Sequence, residues 1–189
     1  MLYKLAHILR DRCPWIWDLI EASDSYLFAL RYRRKLNMLE GVLKKYQDDY
    51  VICPIGENDI KGLTEFFKSQ PDEAFTYFHP HAFDEMTLKK LQMRKSFLAY
   101  IVKQNEDIVG YFFLRCYFMG KCFRGYMVDY RHRNKGVAKL MSYVMSDIAK
   151  TLGIPSYGTI NPMNVASMKS QDALVLTQLE NGDYYVQYK

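Results

Sequence analysis

The sequence predicts a mixed α/β fold: a mostly antiparallel central sheet with flanking helices, preceded by an N-terminal helical extension. Three observations predict it. The run from Phe97 to Asp129 is rich in β-branched and aromatic residues and breaks at Asn105-Glu106-Asp107 and Met119-Gly120-Lys121, so it reads as three antiparallel strands. Leu140, Val144, Ile148 and Leu152 then recur four residues apart over the strongest helical stretch, Gly136 to Leu152, which Gly153 stops and Pro155 follows. Three strands in succession without crossover helices exclude a doubly wound sheet.

Taken in order, residues 1–49 read as a helical arm. Leu2, Leu5 and Leu9 share a helix face, and Leu36, Leu39, Leu43 and Tyr46 repeat at the i, i+3, i+4 interval. Pro14 and Ser23-Asp24-Ser25 read as helix-start and cap signals that punctuate the arm. Trp15, Ile16, Trp17, Leu27 and Phe28 carry more apolar area than a solvated tail should. The arm is therefore expected to pack on the core or on a second copy of the chain, which leaves a homodimer open. The basic group Arg31, Arg33, Arg34 and Lys35 reads first as a solvated helix face and second as a contact for an anionic membrane or partner.

Residues 50–189 alternate between strand and helix. Val51 to Ile55 is a short strand, and Asn58-Asp59 caps a helix with the apolar face Ile60, Leu63, Phe66 and Phe67. Residues 70–85 form a loop bearing Pro and aromatic residues, and Met86 to Met93 a short helix. Beyond the three strands and the long helix come a strand at Ser156 to Ile160 and a short helix at Asn164 to Gln171. A final hairpin turns near Asn181-Gly182-Asp183.

With 189 residues, half of them apolar, the chain fits one domain plus an appended arm. The formal charge of +5 favours an anionic ligand only weakly. Basic residues alternate with acids and no aromatic-basic platform is evident, which argues against nucleic acid. Cys13, Cys53, Cys116 and Cys122 show no zinc spacing and read as small apolar residues in a reducing compartment. Lys4, Arg10, Asp11 and Arg12 interrupt the start of the chain, so neither a secretory leader nor an integral membrane segment is expected, and the chain reads as cytoplasmic.

The stretch that carries chemistry is Val128-Asp129-Tyr130-Arg131-His132-Arg133-Asn134-Lys135-Gly136-Val137-Ala138. A strand ends, a basic turn follows, and a glycine opens a long helix. The unpaired N–H groups of a first helical turn converge on one point, where the helix dipole adds positive charge. Gly136 and the small Ala138 let a phosphate approach those amides, and Arg133 and Lys135 add charge nearby. A basic turn before a helix is, by itself, also what an ordinary solvated turn looks like.

Arg133-Asn134-Lys135-Gly136-Val137-Ala138 resembles the Q/R-x-x-G-x-G/A motif of the GNAT acetyltransferase superfamily without a gap. Val128, Leu140 and Met141 match its hydrophobic positions, and Asn164 with Ser167 matches the Asn and small residue after the fifth strand. The resemblance covers residues 50 to 189. It implies that acetyl-CoA is the co-substrate, with its pyrophosphate on the amides of Arg133 to Ala138 and its pantetheine arm beside Met127 and Val128, between splayed fourth and fifth strands. It implies no metal, and an N-acetyltransferase acting on a small-molecule amine acceptor.

Two departures qualify the resemblance. The family's general acid, a Tyr seven residues after the Asn, is here Gln171, and its Gly-Phe pair is replaced at Val175 and Leu176. These leave open the alternative of a degenerate CoA-binding module with an interaction or regulatory role. The fourth strand carries no carboxylate, so His79 and His81 in the Phe78–Glu85 segment are the candidate catalytic bases. An H-x-H pair without a third ligand does not make a metal site. The segment resembles those of family members acting on amino sugars, which points to an amino sugar or nucleotide-sugar acceptor.

Overall fold

A computed structural model describes residues 14–170 and 172–188. Helix α1 (Pro14–Leu36) and the short α2 (Leu39–Lys44) form the described part of the arm. Strand β1 (Val51–Pro54), helix α3 (Ile60–Lys68) and helix α4 (Glu85–Gln92) lead into the meander β2 (Phe97–Gln104), β3 (Asp107–Tyr117) and β4 (Lys121–Val128). Helix α5 (Val137–Leu152), strand β5 (Ser156–Ile160), helix α6 (Val165–Ser170) and the hairpin β6 (Ala173–Gln178) and β7 (Tyr184–Tyr188) complete the chain. The proposed face of Leu2, Leu5 and Leu9 lies outside the described residues.

The strands form one seven-stranded sheet in the order β1-β2-β3-β4-β5-β7-β6. Every pairing is antiparallel except β4 with β5. The exception follows from connectivity, since α5 is the crossover helix that a parallel return needs. Gly153 ends α5 in the left-handed region at φ +69°, and the amide of Ile154 reaches back to the carbonyl of Ala149.

Helices cover both faces of the sheet. On one, Val137, Met141, Val144, Met145 and Ile148 of α5 pack with Val102, Phe112 and Leu114. On the other, Leu63, Phe66 and Phe67 of α3 and Leu88 of α4 pack with Ile101, Tyr111 and Met127. The arm joins the first layer, because Phe28, Tyr32, Leu39, Val42 and Leu43 are buried in the α5 cluster. Phe28 is fully enclosed, so Phe28→Ala is expected to cost about 3–5 kcal/mol, measurable as a lowered urea midpoint.

One local expectation is overturned. Ser23-Asp24-Ser25 does not punctuate the arm, since α1 runs through it. These polar side chains bond across space: the amide of Phe118 donates to Asp24 and the amide of Ser96 to the Ser25 hydroxyl, while Ser23 bonds back to the carbonyl of Leu19. Asp59 likewise serves two partners, accepting from the Gly56 amide and from Lys103.

Candidate active site

Strands β4 and β5 are paired only at their beginnings, Cys122 with Ser156 and Phe123 with Tyr157. Beyond that point β5 turns to β7 and β4 continues along β3, so a wedge opens between them. Arg124 and Tyr188 fill its root. The Arg124 guanidinium lies 3.5 Å from the centre of the Tyr188 ring and donates to Ser146 and Ser142 of α5. Burial lowers its pKa to about 10 without removing its charge at neutral pH. Glycine makes the arrangement possible, because a Cβ at Gly158 would stand 2.5 Å from the Tyr188 hydroxyl.

The wedge opens into a cavity of about 670 Å³, a volume suited to a cofactor-sized ligand. One wall is β4 from Arg124 to Val128. The amide of Cys122 bonds to Pro155 on the β5 side and that of Asp129 to Val109 on the β3 side. The two-residue alternation between them directs the backbone groups of Val128 toward the gap. The N-termini of α5 and α6 form the second wall, with Gly136 to Lys139 and with Asn164, Ala166 and Ser167. The third is the loop after α3, represented by Glu73, Ala74, Tyr77 and Phe78.

The turn into α5 is built to present amides. Asn134 and Gly136 both adopt left-handed conformations, φ +62° and +85°. The first bond of the helix runs from the amide of Leu140 to the carbonyl of Gly136, which leaves residues 136–139 without intrahelical acceptors. A Cβ on Gly136 would meet no protein atom within 4 Å and would point into open cavity. Arg133, Lys139 and Lys169 supply positive charge around the same wall. Four amides, a helix N-terminus and three cations fit a diphosphate.

Asp129 holds this turn in place. Its carboxylate is wholly buried and accepts from the Arg131 amide and, bidentately, from the Arg131 guanidinium at 3.0 and 2.7 Å. Burial would raise its pKa, but the hydrogen bonds and charge of Arg131 outweigh burial and bring it down to about 2. The carboxylate therefore stabilises the fold above the unfolded value near pH 4, and that contribution is lost as pH falls through about 2. After screening at the exposed Arg131 it is worth about 1–2 kcal/mol. Melting curves of Asp129→Asn and wild type are expected to differ by this amount at pH 7 and to converge near pH 2.

No protein-family model and no curated protein matches the sequence. Solved structures do match the fold. The PaiA N-acetyltransferase of Thermoplasma acidophilum in complex with coenzyme A is 13% identical, with 75% of this chain and 99% of that one aligned at a TM-score of 0.63. The ribosomal-protein-S5-alanine acetyltransferase of Vibrio fischeri is 13% identical over 76% and 93% of the two chains, also at 0.63. YncA of Salmonella typhimurium, a putative acetyltransferase with its cofactor acetyl-CoA, is 18% identical over 75% and 94%, at 0.58. The chain has the GNAT acetyltransferase fold.

Within this GNAT fold, Met127, Val128, Arg133, Asn134, Gly136, Val137, Ala138, Asn164 and Ser167 all line this same cavity. Lys135 does not. It is exposed and outside the lining, between the left-handed Asn134 and Gly136, and Lys139 and Lys169 stand at the wall instead. Asn164 caps α6, its side-chain oxygen accepting from the Ser167 amide at 3.1 Å.

Neither His79 nor His81 is among the lining residues. His79 is exposed. The His81 ring sits among Phe67, Phe83, Phe97, Tyr111 and Phe113, with one nitrogen 2.9 Å from the Tyr111 hydroxyl and the other 2.8 Å from the Ala82 carbonyl. Burial holds its pKa below the usual histidine value. Gln171 lies outside the described residues. Sequence reasoning missed Glu73, the one carboxylate in the described lining; the turn Asp72–Phe75 that presents it carries no periodic signal.

Proposed function

We propose that the protein is an acetyl-CoA-dependent N-acetyltransferase acting on the primary amine of a small acceptor, an amino sugar or a nucleotide-sugar. One observation carries the reading: a single cavity threads the gap between β4 and β5, with helix amides and cations on one wall and Glu73, Tyr77 and Phe78 on another. The amides of 136–139 with Arg133, Lys139 and Lys169 hold the diphosphate. The gap side of β4 receives the pantetheine arm, and the Val128 amide polarises the thioester carbonyl.

The third wall suits an amino sugar. Tyr77 and Phe78 supply aromatic lining for the apolar side of a pyranose, and Glu73 a carboxylate for its ammonium. Glu73 takes one proton from the ammonium, the freed lone pair bonds to the acetyl carbon, and the second N–H proton of the adduct passes to the departing thiolate or to water. The C–S bond breaks and the thiolate leaves with its electron pair. An ordinary thiol pKa near 8.5 makes it a tolerable leaving group without a dedicated acid. That frees the mechanism from a Tyr at the position of Gln171.

The test is thiol release from acetyl-CoA across a panel of amino sugars, nucleotide-linked amino sugars and simple amines. Release that depends on an amine, with an N-acetylated product by mass, supports the reading. CoA binding without amine-dependent release from any member would leave a binding module.

A further inference from the structure

We propose that the outer face of α1 is a docking surface for an anionic lipid membrane. The helix is apolar on two sides: Phe28 and Tyr32 are buried against the core, and a second apolar stripe faces out. Each of its three acids is engaged by a partner from the body of the domain: Asp18 pairs with Lys90 and Arg94, Glu21 with Arg94 and Arg115, and Asp24 accepts from the Phe118 amide. Outward it presents Trp15, Leu19, Tyr26 and Leu30, respectively 69%, 61%, 64% and 56% exposed, with Ile20 and Leu27 flanking them. The spacing of four, seven and four residues makes this one continuous stripe along four turns.

Charge selects the occupant. At the C-terminal end of the stripe Arg33 and Arg34 are exposed, whereas Arg31 is spent on the Phe118 carbonyl and Lys35 on that of Leu152. An outer face of apolar and aromatic residues ending in two arginines, with every acid of the helix already paired, complements an anionic headgroup layer over an acyl boundary. A second copy of the chain would bring the same cationic, acid-free face and no countercharge. No described helix is long and apolar enough to cross a membrane, so α1 lies on the surface.

The placement also suits a working enzyme. α1 meets the β3–β4 turn and the C-terminus of α5, whereas the cavity opens at the other ends of β4 and α5. A bilayer against α1 leaves the cavity facing water.

The full chain is mixed with vesicles of phosphatidylcholine alone, or with 30% phosphatidylserine, and sedimented at low and high salt. Binding is expected only with phosphatidylserine and to weaken with salt. Arg33→Gln with Arg34→Gln is expected to lower the partition coefficient about fivefold per arginine, and Leu19→Gln with Leu30→Gln at least about tenfold. Melting curves of both double variants should match wild type, because all four side chains are exposed. Absence of vesicle binding overturns the proposal, as does equal binding to neutral vesicles. So does a dimer that Leu19→Gln with Leu30→Gln dissociates while vesicle binding stays unchanged.

Discussion

Gly136→Val is expected to weaken CoA binding about tenfold to a hundredfold, the range for losing hydrogen bonds to a charged group. Two causes act together. The backbone stands at φ +85°, where a β-branched residue is strained, so the turn must shift and its amides lose their convergence. The new side chain also points into open cavity rather than against protein, and so occupies the space in front of those amides. Calorimetry with CoA measures the loss, and Gly136→Ala should fall between wild type and valine. Equal affinity for all three would remove the diphosphate from the start of α5. The membrane proposal would be untouched, since α1 does not line the cavity.

Glu73→Gln is expected to lower kcat by about a hundredfold to ten-thousandfold, the usual contribution of a positioned general base. CoA affinity should not change, because Glu73 and the helix amides stand on different walls. The histidines give the contrast. His79→Ala, at an exposed site, should leave turnover and stability close to wild type. His81→Ala should destabilise, because it removes a ring from a nest of five aromatic side chains and leaves the Tyr111 hydroxyl without its partner. Because burial depresses its folded pKa, the His81 contribution is present above the unfolded value near 6.5 and declines as pH falls below it. A hundredfold fall in kcat for either alanine variant, with wild-type melting and an intact response to Glu73→Gln, would return the base to the histidines.

What the sequence determined by itself was the local architecture, the turn into α5 included. Periodicity and punctuation are set by nearest-neighbour physics: Asn105 takes φ +56° in the β2–β3 turn, and Gly153 takes φ +69° at the end of α5, because each chain reversal needs a residue tolerant of that region. The segment Arg133 to Ala138 was legible for the same reason, since a helix N-terminus is built within a few residues of itself. Tertiary structure decided whatever depended on partners far along the chain. Asp24 is tied to a residue 94 positions away, so it reads as a cap in the sequence and acts as a strut in the fold. Arg94 and Arg115 hold Glu21 against the domain, and contacts of that kind show that α1 carries a second apolar stripe outward. Glu73 lines the cavity because a turn with no regular pattern passes the mouth of a wedge whose root is filled by Arg124 and Tyr188, 64 positions apart. Backbone preferences act over a few residues and leave a period in the sequence; a side chain that meets its partner only after the sheet has closed leaves none.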